Sequence, residues 1–282
     1  MVLADGSVVR VDAESDPDLF WAVRGAGANM GVVTSFDFEV DEVGEVGWAQ
    51  LVIEASDPAA FLEGWGAAVQ AAPRDVTSFL IMSGARPGQP PAAIVMTMVD
   101  SADPDTVIER LQPFAQLGPL LQQSVQLTSY AQVMANNEHG PQRGAGEPVT
   151  RSALVDRITP ELAAAMARVL ASGATHFFSL RALGGAVADV PDDATAFAHR
   201  SAAFSIATFG SNEGRLAAAW ADIAAHSRGL YLSFETSLRP ERIEEAYPPA
   251  TLERLRAIKS RVDPQSLFRD NFAIAAEVAV TG

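Results

Sequence analysis

The stretch DPDLFWAVRGAGANMGVVTSFDFEV, residues 16–40, joins a helix start, a glycine-rich loop and an alternating strand pattern. Asp16 and Pro17 are typical of a helix N-terminus, because a carboxylate caps backbone N–H groups and proline fits the first turn. This predicts a helix over 17–24. The glycines from Gly25 to Gly31 end that helix, and apolar residues at alternate positions then predict a half-buried strand over 32–40.

The glycine loop has two interpretations. Its spacing is G-x-G-x-x-x-G, and it follows a helix and precedes a strand. A dinucleotide-binding loop of the Rossmann type instead leaves a strand and opens a helix, whose first amides hold the pyrophosphate. An anion here would be met by loop amides alone. Taken by itself, the loop is better explained as a glycine helix stop followed by a turn.

Strand and helix patterns alternate beyond this stretch. The sequence predicts a hairpin over 2–11, strands over 48–54, 76–83, 92–99, 120–128, 150–157, 174–182, 201–209 and 229–235, and helices over 58–71, 104–115, 159–170, 213–227 and 251–261. Several predicted strands follow each other without a helix between them. This favours a mixed or antiparallel sheet backed by helices over strict βαβ winding.

Composition excludes several functions. The chain has 282 residues, with 35 acidic against 20 basic ones, and a net charge of −15 disfavours binding to nucleic acid. It has no cysteine, which excludes disulfides and cysteinyl cofactor bonds made by this chain. No apolar run is long enough to span a membrane, and the first residues lack the pattern of a signal peptide. The four histidines show no metal-ligand spacing, so we predict no metal site.

Tyrosine is the scarce side chain that could do acid–base chemistry. It occurs only at positions 130, 231 and 247. A tyrosine at the end of a strand can act as a general base when its neighbours stabilise the phenolate. The alternative is a packed aromatic ring with its hydroxyl at the surface. The residues alone leave both open, and the carboxylates form no obvious acid–base pair.

Three segments together resemble one family. They are residues 4–40, beginning ADGSVVR, the segment GGAVADVPDDATAFAHRSAAF at 184–204, and the tail, with YLSF at 231–234 and AYPPATLERLRAIKSRVDPQSLFRDNFAI at 246–274. They are similar, in order and spacing, to segments of the berberine bridge enzyme-like FAD-linked oxidases of the vanillyl-alcohol oxidase superfamily. The resemblance therefore touches both ends and the middle of the chain.

The resemblance implies an α+β fold in two parts. One is a partial PCMH-type FAD-binding domain, made from residues 1–45 and from a C-terminal berberine-like segment over 229–282. The other, over 46–228, is a substrate domain with an antiparallel sheet covered by helices on one face. Loop 136–148 and the sheet face near Phe177, Phe178 and Arg181 are expected to shape the substrate pocket, although such residues are also common in cores and rims.

The resemblance also implies site residues. It assigns FAD contacts to Gly25, Gly27, Asn29, Gly31, Val32, Val33 and Asn271. Tyr231 matches a tyrosine that deprotonates the substrate, although Ser233 stands where the family has asparagine. Leu154 replaces a tyrosine that members often carry, which argues against a second catalytic tyrosine. His199 and Arg200 match a recurring pair for which a structural role is at least as well supported.

The implied activity is hydride transfer from an alcohol or amine carbon of a small molecule to FAD. Family members begin with an N-terminal FAD subdomain that carries the residues covalently joined to flavin, and this sequence starts after it. We therefore expect a truncated oxidase. The alternatives are a non-catalytic remnant that binds small molecules, or one half of a split oxidase. Expected partners are a small-molecule substrate and, through self-association or complementation, a further copy or the N-terminal FAD subdomain.

Overall fold

Seven strands form one antiparallel sheet in the computed structural model, which describes residues 1–84, 91–135, 149–269 and 272–276. The strands are β1 (Glu45–Glu54), β2 (Val76–Ser83), β3 (Ala92–Val99), β4 (Leu120–Ser129), β5 (Val149–Val155), β6 (Phe177–Ala182) and β7 (Phe204–Gly210). Their order across the sheet is β4-β1-β3-β2-β6-β7-β5. Each neighbouring pair is antiparallel, as the order of predicted strands suggested.

The described helices are α1 (Pro17–Val23), α2 (Pro58–Ala71), α3 (Pro104–Ala115), α4 (Tyr130–Ala135), α5 (Pro160–Ala171), α6 (Ala186–Asp189), α7 (Glu213–Ala224), α8 (Glu241–Ala246) and α9 (Pro249–Val262). Five of the described helices, α1, α2, α3, α5 and α7, begin at a residue whose side chain caps the helix. The side chains of Asp57 and Asp103 accept backbone N–H hydrogen bonds at the starts of α2 and α3. Proline follows each of them, as expected at the first helical position.

Helices α2, α3, α5 and α7 cover one face of the sheet. Alternate strand residues such as Leu51, Leu80 and Ile206 point to that face and are buried against Trp65 and Trp220. This confirms the predicted antiparallel sheet with helices on one face. Because side chains alternate along a strand, a second set lies on the opposite face. That face carries the candidate site.

A second apolar core joins the two ends of the chain. Leu19 and Trp21 from α1 pack with Tyr247, Leu252 and Leu255 from the C-terminal segment. Residues far apart in sequence therefore share one core, apart from the core under the sheet. The domain boundaries at 45 and 228 stay a prediction.

Two predicted strands are wrong. Over 32–40 the chain is extended but makes only a single bridge, between Val32 and Val2. Phe36 and Phe38 there are 63% and 78% exposed. A strand needs a hydrogen-bonded neighbour along its length as well as an alternating pattern, and beyond the bridge at Val32 the described residues provide none. Over 229–235 the chain makes one bridge, from Gly229, and then turns into a short 3₁₀ helix over 232–234.

The predicted N-terminal hairpin is present in a minimal form. Val2 bridges Val8 across a turn in which Gly6 has φ +82°. Among the described helices, none is long and apolar enough to cross a bilayer.

Candidate active site

Two glycines of the loop Gly25–Gly31 are required by the packing of the protein itself. Gly25 has φ +148°, and a Cβ atom there would lie 2.2 Å from the backbone nitrogen of Phe197. Gly31 also has a positive φ, and a Cβ atom there would lie 2.6 Å from the carbonyl oxygen of Val2. Neither position tolerates a side chain, which agrees with interpreting the loop as a helix stop and turn.

Gly27 differs from these two glycines. It has φ +62°, and no atom lies within 4 Å of the position that a Cβ atom would occupy. An exposed glycine beside open space lets a ligand approach the backbone closely. Val32, next to the loop, is 54% exposed, whereas Val33 packs against the second core. Gly27 is the loop glycine whose surroundings best fit the predicted flavin contact.

Asn29 holds the loop to the C-terminal tail. Its side-chain amide nitrogen donates to the carbonyl oxygens of Ala26 and Phe272, at 2.7 and 3.2 Å. Its Oδ1 accepts a hydrogen bond from Ile274 N, at 2.8 Å. The side chain is buried and engaged by protein groups at both ends. A direct cofactor contact for Asn29 stays a prediction, and Asn271 lies outside the described residues.

Lys259 is a buried residue beside the glycine loop whose importance the sequence did not reveal. Its ammonium is fully buried and donates to the carbonyl oxygens of Asn29 and Phe268 and to the carboxylate of Asp263. Asp263 in turn accepts hydrogen bonds from Leu267 N and Phe268 N. This hub ties the glycine loop to α9. Its only sequence signal is the single lysine of the chain, four residues before Asp263 in a helix.

Tyr231 lies where the open sheet face meets the C-terminal segment. Its backbone N–H donates to Ser152 Oγ on β5, at 3.1 Å, and its side chain is 40% exposed. Its ring contacts Phe197 and Phe234 edge to face, with centroids 6.1 and 5.5 Å away. The phenol therefore stands at a half-open aromatic surface with a fixed backbone. Ser233, the family's missing asparagine, is exposed.

Phe197 connects this tyrosine to the glycine loop. Its backbone nitrogen lies against Gly25 and donates to the carbonyl oxygen of Arg24, at 3.3 Å. The hydroxyl of Tyr247 donates to the Gly25 carbonyl oxygen from the other side, at 2.9 Å. Burial raises the pKa of Tyr247, so this phenol stays protonated and structural. Phe197 thus joins the loop to Tyr231, and Tyr247 anchors the loop through Gly25.

Only part of the expected substrate pocket is on this face. Phe177 and Arg181 lie there, and Phe177 stacks on Phe209 with ring centroids 4.6 Å apart. Phe178 points to the opposite face and is fully buried against Trp220, so the expectation is wrong for this residue. Adjacent strand residues cannot share a face. Loop 136–148 lies outside the described residues.

A buried ion pair supports the turn that carries Tyr231. Arg151 on β5 donates to Glu235 Oε1 at 3.1 Å and also contacts Glu213. Burial raises the pKa of Glu235 above its ordinary value, although the Ser237 N–H and the Arg151 charge oppose that effect. Leu154 on the same strand is buried. It provides no second phenol at the site.

His199 and Arg200 are engaged by the protein itself. His199 is buried, and its Nε2 lies 3.0 Å from the carbonyl oxygen of Ala246. Burial lowers the pKa of His199, which favours the neutral ring. Arg200 donates to Asp192 through its backbone and to Thr195 Oγ1 through its guanidinium. Within the part of the chain that the structure describes, no three His, Asp or Glu side chains form a group that could hold a metal ion.

Known proteins with similar sequences include an oxidase and several FAD-linked oxidoreductases. The chain is 28% identical, over 98% of its length, to (R)-6-hydroxynicotine oxidase from Paenarthrobacter nicotinovorans, and covers 64% of that protein. A shorter region, 18% of the chain, is 51% identical to the FAD-linked oxidoreductase pgmH from Aspergillus terreus and covers 11% of it. No family model matches the chain.

Solved structures show the same fold. Chitooligosaccharide oxidase superposes with a TM-score of 0.81 at 18% identity, covering 98% of this chain and 65% of that one. Xylooligosaccharide oxidase from Myceliophthora thermophila, in complex with xylobiose, superposes with a TM-score of 0.80 at 20% identity, covering 98% and 65%. The chain thus spans slightly less than two thirds of these proteins.

These findings define the class. The chain has the fold of the FAD-linked oxidases. More particularly, its sequence is similar to those of FAD-linked oxidoreductases, and its fold is that of a BBE-like protein from Physcomitrella patens, in agreement with the resemblance of the three sequence segments.

Proposed function

We propose that the protein is an FAD-dependent oxidoreductase that takes hydride from an alcohol or amine carbon of a small molecule. The observation that carries the proposal is the junction of Gly25, Phe197 and Tyr231, which brings the glycine loop and a half-exposed phenol to one place. The resemblance to the family assigns the flavin contacts to this loop, and it assigns the role of base to the phenol of Tyr231. Neither feature alone distinguishes an enzyme from a turn and a packed ring.

The residues present fit part of an FAD site. Gly27 leaves room for close approach to its backbone, and Val32 adds an exposed apolar side chain beside it. The hub at Lys259 and the Tyr247 hydroxyl hold the loop in this shape. FAD supplies the hydride acceptor when bound, with oxygen as the expected re-oxidant.

Tyr231 has the role of general base in this proposal. In its phenolate form, Tyr231 accepts the proton from the substrate hydroxyl or ammonium as hydride leaves the adjacent carbon. The Ser152 contact fixes the backbone of Tyr231, and the rings of Phe197 and Phe234 flank the phenol on two sides. The aromatic walls also suit a substrate with an apolar body.

The partner proposal concerns the exposed apolar segment over 32–43. Phe36, Phe38 and Val40 in this segment are each more than 60% exposed. Isolated apolar side chains are common on surfaces, whereas a cluster of this kind is typical of an interface. We propose that a complementing N-terminal FAD subdomain packs here. The alternative is that a second copy of the chain packs on this segment, and a measurement of oligomeric state distinguishes the two.

The test is cofactor uptake by the purified chain. We expect added FAD to lose fluorescence on titration with the chain, and the flavin absorption of the complex to bleach anaerobically with a suitable alcohol or amine. Chain that leaves FAD fluorescence unchanged, alone and with an N-terminal subdomain from a relative, would overturn the proposal. Such a result would favour a non-catalytic small-molecule-binding fragment.

A further inference from the structure

Arg181 occupies the middle of the open sheet face. It lies on β6, which pairs with β2 on one side and with β7 on the other. Its guanidinium carbon lies 4.8 Å from the ring centroid of Phe79 and 4.5 Å from that of Phe234. The two aromatic rings hold the guanidinium by cation–π contact. The N–H groups at the edge of the guanidinium then remain available to donate hydrogen bonds.

The charge of Arg181 has no acidic partner among the described residues. Its guanidinium donates to Ser179 Oγ, at 2.9 Å, and no described carboxylate lies within ion-pair distance. Burial lowers the pKa of Arg181, and the negative form of the nearby Tyr231 phenol opposes that effect. In a chain with a net charge of −15, an arginine that is half-buried without a carboxylate indicates that an anion from elsewhere completes it.

Ser205 provides a second, independent observation. It lies directly across from Arg181 in the register of β6 and β7, so the two side chains share a face. Ser205 is only 5% exposed, and its hydroxyl has no hydrogen-bond partner. Buried hydroxyls are normally hydrogen-bonded, so an orphaned one at the strand position opposite an arginine is a candidate partner for a ligand oxygen.

We propose that Arg181 and Ser205 bind a carboxylate of the substrate, which makes the substrate a hydroxy acid or amino acid. This inference rests on the proposed function and names its substrate class. The planar guanidinium fork matches the two oxygens of a carboxylate, and the flanking rings orient it. Phe234 contacts both Arg181 and Tyr231, so the proposed carboxylate site and the proposed base lie on one aromatic surface.

Binding of an unreactive probe tests this without turnover. Benzoate and benzamide have the same ring and differ in charge, and each is titrated into the purified chain by calorimetry or ligand-observed NMR. We expect benzoate to bind at least tenfold more tightly than benzamide, and Arg181→Gln to remove about tenfold or more of that difference. Ser205→Ala, which is a milder change to the fold, should weaken benzoate selectively. Arg157→Gln, an exposed arginine, is the matched control.

Several outcomes would overturn the inference. Equal binding of benzoate and benzamide would do so, as would benzoate binding that survives Arg181→Gln in a variant with an unchanged circular dichroism spectrum. If inorganic phosphate binds at the same site as tightly as benzoate and displaces it, the site is a general anion site and the carboxylate assignment is overturned. A chain that binds benzoate through Arg181 but never reduces FAD would retain the inference about the site and refute the proposed function.

Discussion

Lys259 is the only lysine of the chain, and the structure places it at full burial. A buried ammonium is stable only where several acceptors surround it, and here three do, from the glycine loop, from Asp263 and from Phe268. We expect Lys259→Met to lower the free energy of unfolding by about 3–5 kcal/mol, because the Asp263 carboxylate is left buried without its cation. Urea unfolding measures this. Arg256→Met on the same helix should change stability by far less.

The hub also makes stability depend on pH. Burial raises the pKa of the Asp263 carboxyl, but hydrogen bonds from Lys259, Phe268 N and Leu267 N lower it by more, so its pKa lies below the ordinary value. A carboxyl with a lower pKa in the folded state contributes stability above the unfolded pKa of about 3.9. That contribution is lost as the pH falls through the folded pKa.

We therefore expect the midpoint of urea unfolding to fall as the protein is acidified below about pH 4. Asp263→Asn should be less stable at neutral pH and should lose less stability on acidification. Asp222→Asn removes an exposed carboxylate, and its unfolding midpoint should fall on acidification as much as that of the native protein. If Asp263→Asn lost as much stability on acidification as the native protein, the pH dependence could not be assigned to the Asp263 carboxyl.

Tyr231 is the residue-scale test of the proposed chemistry. Tyr231→Phe keeps the ring contacts with Phe197 and Phe234 and removes only the hydroxyl. We expect the rate of flavin reduction by substrate to fall about 100- to 10,000-fold, the range for loss of a general base, with FAD binding unchanged. Stopped-flow absorbance measures the rate. Tyr130→Phe, an exposed tyrosine on α4, should retain the native rate.

At the scale of elements, the glycine loop contains one glycine required for packing, Gly25, and one proposed to contact the cofactor, Gly27. Gly25→Ala places a Cβ atom in the Phe197 backbone and should destabilise the fold strongly. Gly27→Ala meets no atom and pays only the cost of a left-handed residue, about 1–2 kcal/mol. We expect Gly27→Ala to fold and to bind FAD less tightly, measured by fluorescence titration. Native FAD affinity in folded Gly27→Ala would remove Gly27 from the cofactor site.

Elements with strong local signals were predicted closely. The bounds of α2, α3, β2 and β3 match the predicted ranges, because Asp-Pro caps and turns mark where each begins. The strands expected over 32–40 and 229–235 failed for one reason. Alternating residues describe which side of an extended chain is apolar, but pairing depends on a neighbour that comes from elsewhere in the fold.

At the scale of the whole molecule, the apolar segment over 32–43 governs assembly. A chain with a net charge of −15 resists association, whereas an exposed cluster containing Phe36 and Phe38 promotes it. We expect the purified chain to associate as concentration rises and the double variant Phe36→Ser/Phe38→Ser to stay monomeric, measured by light scattering after size exclusion. Ile108→Ser, an exposed apolar site on α3, is the control. Association unchanged in the double variant would place the interface elsewhere.

Local sequence was sufficient for the class of fold and for most helices and strands under the helical layer. These depend on contacts within a few residues or on a pattern of segments in a fixed order. Only the tertiary structure showed that Lys259 supports the loop, that Phe197 joins it to Tyr231, and that Arg181 lies opposite an orphaned Ser205 hydroxyl. Those contacts join residues far apart in the chain, and no local pattern encodes which distant side chain completes a charge or a hydrogen bond.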